Sequence, residues 1–361
     1  MSPRHDSRID ALHAALNEVA PGTPLREGLD RIVRAKMGAL VVVGDGAEVL
    51  SISSGGFLLD APFSPQRLSE LAKMDGAIIL AADATRIARA NVHMVPEPSI
   101  PTSETGTRHR TAERVARHLG TVPVISVSEE MGVLTIYVGA SKHVLQEIPR
   151  LLEKAGQALQ TLGRYKDRLD ESVASLSALE VEDLVTLRDV ALVLQRSETV
   201  RRIADEIETM IIELGVDARL LRLQLDELYG ETDEDLALVL QDYLPDDDRH
   251  SGDDCVAELG RLSDDDLLDV RIVAALLHFP GGGADLDQPV QPRGYRLLGE
   301  LPRMNADRID ALINRYGSLP KVLRATAVDL GKVLELDPER AQALKDGLAR
   351  VAETSILDQY G

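Results

Sequence analysis

The chain of 361 residues has one cysteine, no tryptophan and only 3% aromatic residues. With Cys255 alone, an intrachain disulfide and a thiolate metal cage are both excluded. The scarcity of rings argues against an aromatic-rich sandwich. It leaves cores of Ala, Leu, Val and Ile, suited to helix packing and a small covered sheet. No apolar run approaches the roughly 20 residues of a spanning helix. The opening Met1-Ser2-Pro3-Arg4-His5-Asp6 lacks the apolar stretch of a signal peptide. A soluble, cytoplasmic protein without a membrane partner is expected. An excess of basic charge is missing too: the net charge of −20 excludes a uniformly basic nucleic-acid binder but permits a local basic surface.

Apolar residues make up 44% of a chain long enough for two or three domains. Residues 1–145 mix strand and helix signals. Gly38-Ala-Leu-Val-Val-Val-Gly44 is a β-branched run between glycines, a buried strand followed by a turn. Similar strands are expected at Ala77–Ala81, Val122–Val127 and Val133–Val138, with helices at Pro65–Met74 and Thr111–Leu119. These elements describe an α/β domain with a mixed central sheet flanked by helices. Residues 146–290 read as an all-α spine. Leu151, Leu152, Ala155, Leu159 and Leu162 form one helical stripe; Leu184, Leu187, Val190, Ala191 and Leu194 form the next. Ile203, Ile207, Met210, Ile211 and Leu214 follow, then Leu221, Leu225 and Leu228, with Gly163, Gly215 and Gly230 where the stripes stop. These stripes serve an intramolecular core plus an oligomer contact.

An acidic, turn-rich segment, Pro245–Asp254, reads as a solvated linker, and Pro280–Pro292 as a second break. Asp264, Asp265, Asp266 and Asp269 fall on the polar side of a short helix and read as solvating groups rather than metal ligands. The last module, residues 291–361, differs electrostatically. From Arg293 onward it carries 11 of the 40 basic and 10 of the 60 acidic residues, a net of +1 against −21 for everything before it. That contrast points to a separate partner.

Two short strings carry the chemistry. In Gly106-Thr107-Arg108-His109-Arg110-Thr111 and the residues after it, four arginines and two histidines fall within eleven positions, opposed only by Glu113. A helix beginning near Arg110 adds free backbone N–H groups and a partial positive charge. Arginine grips phosphate oxygens bidentately, and Thr107 and Thr111 offer hydroxyls. The string is either a phosphate clamp or an exposed basic helix face. In Lys73-Met74-Asp75-Gly76-Ala77 a carboxylate stands at the mouth of an apolar strand beside two tiny residues. Asp75 is either a Mg²⁺ or Mn²⁺ ligand beside a flat base or the cap of a turn.

These strings, with Gly38–Gly44, Leu59-Asp-Ala-Pro-Phe-Ser64 and Ala90-Asn-Val-His-Met-Val-Pro96, closely resemble the diadenylate cyclase family, whose hallmarks are Asp-Gly-Ala and Arg-His-Arg. The resemblance implies condensation of two ATP into cyclic di-3′,5′-AMP and two pyrophosphates, with Mg²⁺ or Mn²⁺. Asp75 would hold the metal and help activate the ribose 3′-hydroxyl; Gly76 and Ala77 would line the nucleotide pocket. Thr107, Arg108, His109, Arg110 and Thr111 would grip the triphosphate, Met94 would pack near adenine, and Ser128 would add a hydroxyl. One copy of each motif cannot perform two identical attacks, so two protomers must face each other. The resemblance raises that homo-oligomer to an octamer.

Residues 293–361 resemble tandem helix-hairpin-helix units, which bind branched DNA through phosphates without reading sequence. Leu297–Met304 is the first hairpin, with Gly299 and Arg303 as DNA contacts, Ile309–Tyr316 the helix after it, and Arg340–Lys345 follows the second. Glu335-Leu336-Asp337-Pro338 stands where the second hairpin usually has Gly-hydrophobic-Gly, and Pro302 replaces a glycine in the first. Both changes weaken phosphate binding. A non-enzymatic ATP-sensing DNA-junction binder and an oligomeric scaffold with a decayed site are the alternatives; intact Asp75-Gly-Ala and Thr107–Thr111 favour the enzyme.

Overall fold

The structure, a computed structural model, describes residues 7–245 and 251–358. The opening hexapeptide and Asp246–His250 of the acidic segment lie outside the described residues. The chain forms two compact units, residues 1–157 with 206–223, and residues 158–205 with 224–361.

The first unit is built on helices α1 (Ser7–Glu18) and α2 (Pro24–Arg34), strand β1 (Ala39–Val43), α3 (Ala47–Ser51), β2 (Ser53–Ser54), β3 (Phe57–Pro62) and α4 (Pro65–Leu71). It continues through β4 (Ala77–Leu80), β5 (Arg86–Met94), α5 (Thr107–Leu119), β6 (Val124–Val127), β7 (Leu134–Val138) and β8 (Ser141–Val144). The sheet order is β2-β5-β4-β1-β6-β7-β8, with β3 also paired to β5. β1 and β4 run parallel and the other pairs antiparallel, so the sheet is mixed.

Both faces of the central strands are buried, which is why their sequences are unbroken apolar runs rather than alternations. Val41, Val43, Ile78, Leu80, Ile125 and Ile136 pack with Leu16, Leu29, Ile32 and Leu68 of α1, α2 and α4. The opposite face, with Leu40, Val42, Ile79, Val124 and Tyr137, packs on Ala112, Val115 and Ala116 of α5. Thr23 and Ser64 cap α2 and α4 by accepting the N–H groups of Arg26 and Arg67, and a proline follows each cap.

The next helices are α6 (Ile148–Glu182), α7 (Leu187–Leu214), α8 (Arg219–Tyr229) and α9 (Thr232–Tyr243). They are followed by α10 (Gly252–Arg261), α11 (Asp264–Leu268) and α12 (Val270–Ala275). Gly163 does not end a helix: α6 runs through it for 35 residues. A helical glycine costs about 1 kcal/mol, which the buried stripe of Leu159, Leu162, Leu169 and Leu176 overrides. Leu184, expected on the second stripe, lies outside the helices at 60% exposure. Gly252, Asp253 and Asp254 belong to α10, with Ser251 as its cap. The residues before the last module are docked: Leu187 and Arg188 donate backbone hydrogen bonds to Gln288 and Leu286, and Val290 donates to Val185.

Helices α13 (Tyr295–Gly299), α14 (Ala306–Tyr316), α15 (Leu319–Arg324), α16 (Ala327–Leu334) and α17 (Pro338–Asp358) complete the second unit around Leu298, Leu312, Val322 and Leu330. The helix after the first hairpin starts at Ala306, earlier than Ile309, because Asn305 caps it through the Arg308 N–H. Among the described residues no helix is long and apolar enough to cross a membrane.

Candidate functional site at one end of the sheet

The strand registers fix which motifs meet. Leu40 pairs with Ala77, Ala77 with Val92, and Ala39 with Val127. The starts of β1 and β4 and the ends of β5 and β6 therefore share one end of the sheet, which collects Gly38, Asp75-Gly76-Ala77, Met94 and Ser128.

Asp75 is exposed there, and no hydrogen bond or ion pair among the described residues engages its carboxylate. Gly76 has φ +108°, and a Cβ on it would lie 2.9 Å from the Asn91 carbonyl carbon. Only glycine permits both that conformation and that approach. Ala77 is fully buried against β5.

Helix α5 begins at Thr107, not near Arg110. Gly106 is its N-cap, and the Arg110 N–H already donates to the Gly106 carbonyl at 2.8 Å. The N–H groups left free at the helix start are therefore those of Thr107, Arg108 and His109. A glycine cap offers no side-chain signal, which is why the start was misplaced from sequence. The Thr111 hydroxyl bonds back to the Thr107 carbonyl at 2.9 Å.

The basic cluster divides in two. Arg114 donates to the Ile100 carbonyl at 2.9 Å, and Arg117 pairs with Glu113 at 2.7 Å. Glu113 is buried and also accepts from the Thr102 hydroxyl and the Ser103 N–H. Burial raises its carboxyl, but Thr102, Ser103 and Arg117 bring it below the usual range. Arg114 and Glu113 pin residues 100–103 to α5, and Arg117 offsets the charge of Glu113. Arg108 and Arg110 have no hydrogen-bond or ion-pair partner among the described residues. The guanidinium of Arg108 occupies the space where a Cβ on Gly38 would stand.

His109 is backed by residues that sequence reading missed. Its Nδ1 lies 3.1 Å from the Tyr137 hydroxyl, which donates to Glu104 at 3.0 Å, and the Lys142 ammonium meets the same Glu104 oxygen at 2.5 Å. Burial pulls His109 below its ordinary value; Glu104 opposes this, while Lys142 and Arg108 reinforce it. A tyrosine in the β7 run of an aromatic-poor chain was the one available signal.

Met94 is buried in the core on the α5 side, with the Ser53 hydroxyl 3.7 Å from its sulfur. Ser128 is half-buried, and its hydroxyl accepts the Met131 N–H at 3.3 Å in the β6–β7 turn. Gly299 and Arg303 belong to the second unit, where both are exposed. A hollow of about 270 Å³ between Leu59, Arg67, Leu71 and Ile87 lies at the opposite end of the sheet.

Comparison with known proteins identifies the family. Residues 26–141 match the family described as the bacterial checkpoint controller nucleotide-binding domain, and residues 145–286 match its linker region. The DNA integrity scanning protein DisA of a Parafrankia species is 50% identical over 352 residues, 97% of this chain and 98% of the relative. That of Acidothermus cellulolyticus is 51% identical over 354 residues, 97% of this chain and 96% of the relative. A solved structure of DacA from Staphylococcus aureus aligns with 39% of this chain and 88% of its own at 21% identity and a TM-score of 0.28. The full-length relatives and the two matched domains agree: the chain belongs to the DNA integrity scanning protein family, with a diadenylate cyclase domain in its first unit.

Proposed function

We propose that the protein condenses two ATP into cyclic di-3′,5′-AMP and releases two pyrophosphates across a face-to-face pair of protomers. One observation carries this reading. Asp75, Arg108 and the start of α5, all without hydrogen-bond or ion-pair partners among the described residues, share a sheet end whose neighbouring charges are engaged. In each half-reaction a ribose 3′-oxygen bonds to the α-phosphorus of the other ATP, and the bond from that phosphorus to pyrophosphate breaks. Arg108, His109 and the free N–H groups of α5 hold the triphosphate and stabilise charge on the leaving pyrophosphate. Asp75 of one protomer stands at the 3′-hydroxyl that attacks the nucleotide held by the other, and Gly76, without a side chain, leaves room for the base.

Asp75 fits a hard divalent cation. Its carboxylate is exposed and unpaired among the described residues, and such ions take one or two carboxylates plus substrate phosphates. No cluster of three or more ligand side chains occurs among the described residues, so the remaining positions fall to the triphosphate and water. When bound, Mg²⁺ or Mn²⁺ lowers the pKa of the hydroxyl and offsets phosphate charge. The pair is the unit of an oligomer, octameric as the sequence resemblance implies.

The last module supplies weak contact with branched DNA, without base readout. Arg303 is exposed at the first hairpin, with φ +68°. At the second, Glu335 takes the left-handed position with φ +55°. Asp337 caps α17 through the Arg340 N–H and pairs with its guanidinium. The charge of Asp337 is thus partly offset by Arg340, while Glu335 remains to repel phosphate.

The test is purified protein with ATP and Mg²⁺ or Mn²⁺, with and without four-way-junction DNA, read by mass spectrometry. Two pyrophosphates per cyclic dinucleotide are expected, at a rate altered by the junction. ADP alone, or no product, would refute the reading. Gly38→Ala is expected to leave the melting temperature within a few degrees, because only the end of a flexible side chain must move. Displacing Arg108 costs a charge-assisted contact, so ATP affinity falls about tenfold by equilibrium binding. Unchanged affinity would separate Arg108 from the triphosphate.

A further inference from the structure

The hydrogen bonds behind His109 determine where its proton sits. Glu104 is ionised: burial raises its carboxyl, but Lys142 and the Tyr137 hydroxyl hold it below the usual range. Tyr137 is kept protonated by burial and by Glu104. A carboxylate can only accept, and a phenol has one proton to give. The Tyr137 proton is therefore committed to Glu104, 3.0 Å away. The contact of 3.1 Å between His109 Nδ1 and the Tyr137 oxygen then requires Nδ1 to be the donor. The other edge of the ring faces the start of α5, with His109 Cδ2 3.8 Å from where a Cβ on Gly106 would lie. Nε2, the atom next to Cδ2, is the one left for a ligand.

We propose that Tyr137, Glu104 and Lys142 are positioning residues that fix the His109 proton on Nδ1 and turn Nε2 into a proton-coupled contact for the triphosphate. The inference rests on the ATP site proposed above. In the free protein Nε2 carries a bare lone pair, because burial, Lys142 of β8 and Arg108 of α5 favour the neutral ring. A phosphate oxygen needs a donor. As the polyanion arrives, Nε2 takes one proton from solvent and donates to it, while Tyr137 relays the stabilising charge of Glu104 to the imidazolium. Nucleotide binding is thus coupled to uptake of one proton and tightens as pH falls.

The test is calorimetric titration of the full-length protein with magnesium 3′-deoxy-ATP, which lacks the attacking hydroxyl, in buffers of different ionisation enthalpy between pH 6 and 8.5. The expected result is uptake approaching one proton per nucleotide at pH 7.5, absent in His109→Gln. Tyr137→Phe and Glu104→Gln, checked for unchanged melting, should bind about tenfold more weakly. Their proton uptake should shift to lower pH, which a merely structural role would not produce. Equal uptake in wild type and His109→Gln overturns the inference and leaves the ATP site standing. Failure of wild type to bind the analogue overturns both.

Discussion

Asp75→Asn is expected to cut cyclic dinucleotide formation by about 100-fold or more, with the melting temperature unchanged. The carboxylate is exposed and takes no part in any hydrogen bond or ion pair of the described residues, so the isosteric amide removes nothing that holds the fold. It removes the negative charge at that end of β4 that would hold a divalent ion or orient the 3′-hydroxyl. Such charge stabilisation is worth several kcal/mol, and each 1.36 kcal/mol is tenfold in rate. Product measured by mass spectrometry at near-normal rate would remove Asp75 from the mechanism.

Co-expression with Arg108→Ala extends the test to the geometry. In a mixed pair, one attack has lost both its aspartate and its arginine, while the other retains Asp75 from one protomer and Arg108 from its partner. That single attack makes the linear dinucleotide, and the ring cannot close. Linear product should therefore accumulate in the mixture and in neither variant alone. If Asp75 and Arg108 served the same attack from one chain, both attacks in the mixed pair would be damaged and no linear product would build up.

The sheet was legible because its signal is local. A buried run of β-branched residues between Gly38 and Gly44 has few other ways to hide its faces. The role of Arg108 was also within reach: it stands four residues before Ala112 and seven before Val115, on the stripe that faces the sheet. What the sequence concealed is how the other charges are used. Arg114 and Arg117 look as available as Arg108 and Arg110, yet Arg114 binds the Ile100 carbonyl and Arg117 is taken up by the buried Glu113. Glu104 and Tyr137 are 33 positions apart, and no periodicity joins them. The start of α5 and the passage of α6 through Gly163 failed for a simpler reason. Glycine carries no side chain to announce a cap or enforce a stop, so packing decides.

In the second unit, Arg296→Met is expected to destabilise the protein by about 3–5 kcal/mol, the usual consequence of leaving a buried charge without its partner. Arg296 is 6% exposed at the start of the first hairpin, and its guanidinium donates to Glu180 at 2.6 Å and to the Ser177 hydroxyl at 2.7 Å. Tyr243 donates to the other Glu180 oxygen at 2.7 Å, and Asp242 caps α13 through the N–H groups of Gly294, Tyr295 and Arg296. Burial pushes Glu180 up to about 7 even with Arg296 beside it. Without that cation it must rise further. A carboxyl raised by folding stabilises fully below its ordinary value, 4.5 for Glu180, and loses that contribution as pH climbs to its folded value. Wild type completes this loss near pH 7, whereas the variant keeps losing above it. The deficit should therefore widen between pH 7 and 8.5 by up to about 1.4 kcal/mol per pH unit, read from guanidinium unfolding midpoints. Adding Glu180→Gln removes the stranded charge and should flatten that pH dependence while restoring part of the stability. A deficit independent of pH would mean that Arg296 acts through packing alone, and that the hairpin is not held to α6 by charge.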